Sequence, residues 1–408
     1  MMLAVWVPLL LPFLAAPLAR RLAEALAPRA AAWMLAGTAA VLAGGTLCSL
    51  GLLAAAGLLQ LPPVAAFGHL SLPWLTAAAP DAPFAAALAA LALLALGALA
   101  VRTARRRTRE LRTARAALPA EPTAPFPARD RRAEPAATRA PDHAEGHAED
   151  RAANRPEARH ADRHADRTGA RRVHRAPSPA RHPDMRPPHA SVRRTRPTDR
   201  LAGLLRPVDH PLTVLDDERA DAFALPGRLG RPGRPGEPGR IVVTSGMLRA
   251  LGGPERAALL AHERAHLTAR HHVFLALAEH AAGIHPALRP LRAPLGYHLE
   301  RWADEVAAAR VGDRAVTARA VGRAALAASR APWPARPRTV AAAHSGPVPR
   351  RVAALLQPRP AAASGTWLRA AAVALAACLA LSTGAALEAT ADLHHTVEAA
   401  QQGPDAQR

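Results

Sequence analysis

Apolar and polar positions along the 408 residues are gathered into blocks rather than mixed. Crossing a bilayer takes about 20 mostly apolar residues, and four blocks reach that length. Residues 1–19 carry no charge, and neither do residues 30–68, of which 31–59 are the apolar part. A third uncharged block, 82–101, ends against Arg102, and a fourth, 370–387, lies between Arg369 and Glu388. The pattern predicts transmembrane helices at about 2–19, 31–59, 82–101 and 366–388. A cleaved signal peptide would place its positive charge before the apolar core, whereas Arg20 and Arg21 follow the first block.

Arginine placement sets the expected orientation. The 20–30 turn holds Arg20, Arg21 and Arg29, the 60–82 connection holds none, and Arg102, Arg105, Arg106, Arg107 and Arg109 follow the third block. Basic residues favour the cytoplasmic side. The expectation is a multi-pass cell-membrane protein with its N-terminus outside, residues 102–369 cytoplasmic and a tail at 389–408 outside.

The cytoplasmic part divides in two. Residues 102–200 consist mostly of Arg, Ala, Pro, Asp, Glu and His, and such a stretch cannot bury enough apolar surface to offset its ordering entropy, so it reads as a disordered linker. Its His143/His147 and His160/His164 pairs stand at helical spacing but in low-complexity sequence, which makes a poor metal site. Large apolar residues return from Leu201, and residues 201–360 read as a folded domain. Pro211–Leu215, Ala222–Pro226 and Ile241–Thr244 read as short strands, the last two joined across a Gly/Pro/Arg loop at 227–239. Pro254 and Glu255 then open an amphipathic helix. The fold class expected is mainly α: four membrane helices, the linker, and an α+β domain with a small sheet.

Composition changes this picture little. All 53 basic residues are Arg and the net charge is +21, a bias expected of a GC-rich genome. The two cysteines, Cys48 and Cys378, lie in apolar blocks, which excludes a disulfide scaffold and a CxxC metal cluster.

The chemistry sits on the helix opened by Pro254. His262-Glu263-Arg264-Ala265-His266 is an HExxH, and four residues on a helix make about one turn, so both imidazoles leave one face and can share a tetrahedral metal. Glu263 stands beside that metal as a general base toward water. A catalytic zinc needs a third protein ligand. Downstream, Glu300 and Asp304 share a helix face, so Glu300 can complete a His, His, Glu set while Asp304 accepts the second N–H of a ligand imidazole. Tyr297, His298, His271 and Arg301 are candidates for stabilising an oxyanion, each with a structural reading beside it. His271 and His272 read most simply as polar residues on a helix surface. A substrate could lie extended along the edge of the Ile241–Thr244 strand.

Taken together, Ala222–Pro226, Ile241–Gly246, Leu260–His266, His285-Pro286 and Glu300–Asp304 resemble the BlaR/MecR-type integral-membrane zinc metallopeptidases, a group related to the HtpX and CAAX prenyl proteases. The resemblance covers about residues 205–330 and the flanking membrane helices. It implies Zn2+ held by His262, His266 and Glu300, Glu263 as catalytic base, Asp304 supporting the ligands, and a protein substrate such as a cytoplasmic transcriptional repressor. The β-lactam sensors of that group carry a penicillin-binding domain after the last membrane helix; about twenty residues follow Leu387 here, so a form without that sensor is expected. Two other readings compete. A membrane signalling or anchoring protein could keep a purely structural zinc site, but such a site has no use for a base beside the metal. A membrane-tethered nucleic-acid binder could use the Arg-rich linker, but that linker lacks aromatic residues for base stacking and intersperses Asp and Glu among its Arg.

Overall fold

The computed structural model describes residues 2–78, 82–118, 210–228, 230, 236–330, 347–358 and 365–402. Four helices are long and apolar enough to cross a membrane: α1 (Met2–Glu24), α2 (Pro28–Leu58), α5 (Ala82–Ala116) and α12 (Thr366–Gln402). Small residues carry their mutual packing. Ala15, Ala19, Ala31, Ala39 and Ala43 are buried in one cluster with Leu35, Leu42 and Leu375. Between helices in lipid the hydrophobic effect contributes little, and close backbone approach through alanine and glycine takes its place. Many other large side chains point outward: Trp6, Leu10, Phe13, Leu91, Leu94 and Val373 are exposed, as suits a surface facing lipid.

Two short helices, α3 (Pro62–Phe67) and α4 (Leu72–Ala78), connect α2 to α5. They close over the far end of α12, where Ala400 is buried against Ala65, Leu70 and Leu75, and Ser71 N–H donates to Ala400 O at 2.9 Å. Most of the segment expected as a tail, up to Gln402, is therefore a continuation of the last helix.

The sheet has three strands, β1 (Leu212–Leu215), β2 (Ala222–Leu225) and β3 (Arg240–Thr244), in the order β1-β3-β2. β3 pairs parallel with β1 and antiparallel with β2. This corrects the expectation that a substrate lies along Ile241–Thr244, because β3 is central and both its edges are taken; β2 and β1 are the edge strands. The apolar-run signal locates a strand but carries no information on its neighbours.

The linker boundary also moves. Residues 102–116, read as the start of a disordered tract, continue α5 as helix. Leu111 and Ala114 fall on one helical face and, with Leu118 just past the helix end, pack against Phe223, Leu225 and Val242 of the sheet. Arg115 Nη2 donates to Pro226 O and Arg107 Nη2 to His272 O, both at 2.6 Å. Residues 119–209, with the remainder of the linker and its His143, His147, His160 and His164, lie outside the described residues.

After the sheet come α6 (Ser245–Ala250), α7 (Gly253–Thr268), α8 (His271–Ile284), a 3-10 turn (Pro286–Leu291), α9 (Arg292–Val311), α10 (Arg314–Arg330) and α11 (Val348–Leu356). α7 begins with Pro254 in its first turn, and Glu255 Oε2 accepts the Gly252 N–H at 2.9 Å, satisfying one of the helix's orphan donors. Arg270 adopts φ 53°, a left-handed conformation that ends α7 and redirects the chain into α8. α8, the 3-10 turn and α9 form a hairpin whose Phe274, Ala278, Leu288, Leu291 and Leu295 join the core of the membrane helices.

Candidate metal centre

α7 and α9 lie side by side, and their facing surfaces bring His262, His266 and Glu300 together. One donor atom from each lies within 4.8 Å of the others, and all three residues are buried. His262 Nε2 is 3.0 Å from His266 Nε2, and the two carboxylate oxygens of Glu300 are each 3.5 Å from one of those nitrogens. Ligands of a tetrahedral ion at zinc distances stand about 3.3 Å apart. The triangle fits such an ion in size and donor chemistry.

The outer nitrogens of both imidazoles are held. His262 Nδ1 is 3.1 Å from Asp304 Oδ1, and His266 Nδ1 is 2.7 Å from His271 Nδ1. In the tautomer in which both Nδ1–H groups donate outward, both Nε2 lone pairs converge on one point, an arrangement that favours a cation between them. Burial pushes the His271 pKa down to about 4, which keeps its ring neutral and able to accept the His266 proton. His271 is 1% exposed and its ring tilts against Trp302 at 4.8 Å. The expectation of a surface histidine is thus corrected: the αL turn at Arg270 swings the first residue of α8 back under the HExxH helix.

Asp304 is positioned by a residue that sequence reasoning missed. Arg351 of α11 grips it with Nε to Oδ2 at 2.9 Å and Nη2 to Oδ1 at 2.7 Å, and reaches Glu300 Oε2 with Nη1 at 2.8 Å. Burial alone would raise the Asp304 pKa, but the Arg351 guanidinium and the His262 ring hold it below the usual carboxylate value. α11 is itself fixed by Arg314, which donates to the carbonyls of Ala354 and Leu355 and pairs with Glu305. No motif singles Arg351 out among so many arginines.

Of the oxyanion candidates, Arg301 is committed to Glu305 at 3.0 Å, and Tyr297 lies under the Arg350 guanidinium at 4.8 Å. His298 is buried, which lowers its pKa to about 4. Glu263 is fully buried from bulk solvent yet lines, with His262 and Arg351, a cavity of about 310 Å³. Much of the remaining wall is apolar, with Ala258 and Leu259 from α7 and Ala320, Val321 and Ala324 from α10, while Thr317 and Ser329 add hydroxyls. Asp221 and Ala222, at the start of edge strand β2, close it on the sheet side.

Three buried carboxylates, Glu263, Glu300 and Asp304, thus face one guanidinium and two imidazoles. Burial opposes charge on His262, but hydrogen bonds and charge from Asp304 and Glu300 override it and push its pKa up to about 10. In the metal-free chain that charge contributes stability which is complete below the unfolded value near 6.5 and is lost as pH rises through about 10. A metal must displace this proton, so its affinity is expected to rise roughly tenfold per pH unit between pH 7 and 9. Competition with a chromophoric chelator across that range measures the slope, and a flat profile would contradict the assigned ligand.

Two histidines of α7, a glutamate of α9 and a carboxylate base on a largely apolar cavity make a candidate metal-dependent hydrolase centre. Residues 196–287, which include the HExxH, match the model of Peptidase family M48, and that match supports a metallopeptidase. No curated protein and no solved structure matches the chain.

Proposed function

We propose that the chain is a membrane-anchored zinc endopeptidase that hydrolyses peptide bonds of a protein substrate at the cytoplasmic membrane surface. The observation that carries this reading is the buried triangle of His262, His266 and Glu300 with Glu263 beside it on a cavity able to admit a side chain. His262, His266 and Glu300 would hold the ion, and the imidazole-rich set with a single carboxylate suits zinc better than magnesium or calcium. When bound, zinc supplies Lewis acidity toward a carbonyl and toward water. Glu263 takes the proton of the attacking water and returns it to the departing amide nitrogen, a shuttle for which a carboxylate shielded from solvent is suited. Asp304 and His271 orient the two imidazoles, and Arg351 keeps Asp304 ionised and ties it to Glu300.

The edge available to an extended peptide beside the cavity is β2, which begins at Ala222. The apolar wall of α10 would receive an adjoining apolar side chain. Arg29, at the start of α2, lies 5.4 Å over the Trp302 ring, and Trp302 touches His271, so the centre stands close to the turn between α1 and α2. With that turn cytoplasmic by its arginines, substrates would be membrane proteins or cytoplasmic proteins brought to the surface, a transcriptional repressor among them.

Comparing N-terminal peptides from the proteomes of cells expressing wild type and Glu263→Gln tests the proposal. New termini present only with wild type are expected. Identical sets of termini would overturn it.

A further inference from the structure

A second cavity, of about 220 Å³, lies away from the metal centre, between α5 and the hairpin of α8 and α9. Its α5 wall is Leu96, Leu99 and Ala100, with Thr103 at one end. The opposite wall carries Arg289, from the 3-10 turn, and Arg292, at the start of α9. The hairpin tip reaches well into the membrane helices. His285 Nε2 is 3.0 Å from Leu9 O, and Phe13 meets the His285 ring edge-on. Leu9 precedes Arg20, the first arginine of α1, by eleven residues, about 16 Å of helix. Gly283, next to the tip, lies against Leu99, three residues before the first arginine of α5. The cavity therefore sits where the apolar part of α5 gives way to its basic part.

We infer that this cavity is a binding site for a membrane phospholipid, with its phosphate on Arg289 and Arg292 and an acyl chain along Leu96 and Leu99. Both guanidiniums are exposed, and among the described residues neither forms an ion pair. Two cations at the edge of an apolar helix face attract an anion, and at the bilayer boundary the abundant anion is a lipid phosphate. The same ligand satisfies the leucine wall, which a soluble phosphate does not. The cavity also contains Glu279, whose charge acts on Arg107 of α5, and His280, whose Nδ1 is 2.7 Å from Ala276 O. Glu279 disfavours a second negative charge on the ligand, so a phosphodiester fits better than a phosphomonoester. Such a lipid would clamp the hairpin, whose two helices lead to His271 and Glu300, against α5. The inference rests on the membrane placement proposed above and not on the peptidase chemistry.

The test is native mass spectrometry of the full chain in detergent, titrated with palmitoyl-oleoyl phosphatidylglycerol. A one-to-one adduct is expected, with affinity about tenfold or more weaker in Arg289→Gln/Arg292→Gln. Arg289→Lys/Arg292→Lys, which keeps both charges, should retain most of the binding. Dioleoylglycerol, which has chains but no phosphate, and glycerol 3-phosphate, which has no chains, should each bind at least about tenfold more weakly than the lipid. Unchanged lipid binding by the double Gln variant overturns the site. Equal binding of dioleoylglycerol removes the phosphate from it, and equal binding of glycerol 3-phosphate makes the ligand a soluble phosphate ester; either result overturns the lipid assignment. Metal content measured on the same samples keeps a failure here separate from a failure of the peptidase reading.

Discussion

Glu263→Gln is expected to slow peptide-bond hydrolysis by the purified chain roughly 10²–10⁴-fold, the usual contribution of a positioned general base. The substitution conserves shape in a fully buried position, so it removes the proton acceptor and little else. The three donor atoms of the metal triangle come from other residues, and the metal should remain bound. The pairing of lost rate with retained metal separates a base from a ligand. A rate within a few-fold of wild type would remove Glu263 from the mechanism, and concurrent loss of metal would show that it acts through the site's integrity instead.

The second large effect is expected at Arg351. Arg351→Met leaves Glu300 and Asp304 buried without their bidentate and bridging partner, and stripping one member from a buried ion pair costs about 3–5 kcal/mol. Whole domains are stable by only about 5–15 kcal/mol, so a marked fall in melting temperature follows. A bound divalent cation can replace part of the missing positive charge. Stability of the variant should therefore depend on metal more steeply than that of wild type: added chelator should lower its melting temperature further than it lowers the wild-type value. Arg351→Lys should rescue poorly, because one ammonium cannot span both carboxylates as the guanidinium fork does. Melting curves with and without chelator measure both effects, and a Met variant that melts like wild type under both conditions would contradict the role assigned here.

What was readable from sequence is the part governed by local periodicity. The uncharged blocks mark α1, α2, α5 and α12 because lipid tolerates few charges over a span. The HExxH is readable because the geometry of one helix brings His262 and His266 together, and Glu300 and Asp304 are linked by the same four-residue step. The unreadable parts depend on contacts distant in the chain. Arg351 lies about fifty residues after Glu300 on a helix with no motif, and only the packing of α11 on α9 brings it to the carboxylates. The parallel pairing of β1 with β3, which makes β3 central, is invisible to a strand pattern. In sequence the basic end of α5 reads as incapable of folding because Leu111, Ala114 and Leu118 are diluted among arginines, yet these three apolar positions suffice once the sheet offers Phe223 and Leu225. The burial of His271 is not legible in the sequence because a single left-handed residue, Arg270, decides which way α8 departs.

Elemental analysis of the purified full-length chain tests the central claim most directly. About one zinc per chain is expected in wild type and in Glu263→Gln, with stoichiometric loss in Glu300→Ala, whose substitution removes a predicted ligand from the second helix. Absence of metal from wild type after reconstitution with zinc, or full retention in a folded Glu300→Ala chain, would contradict it.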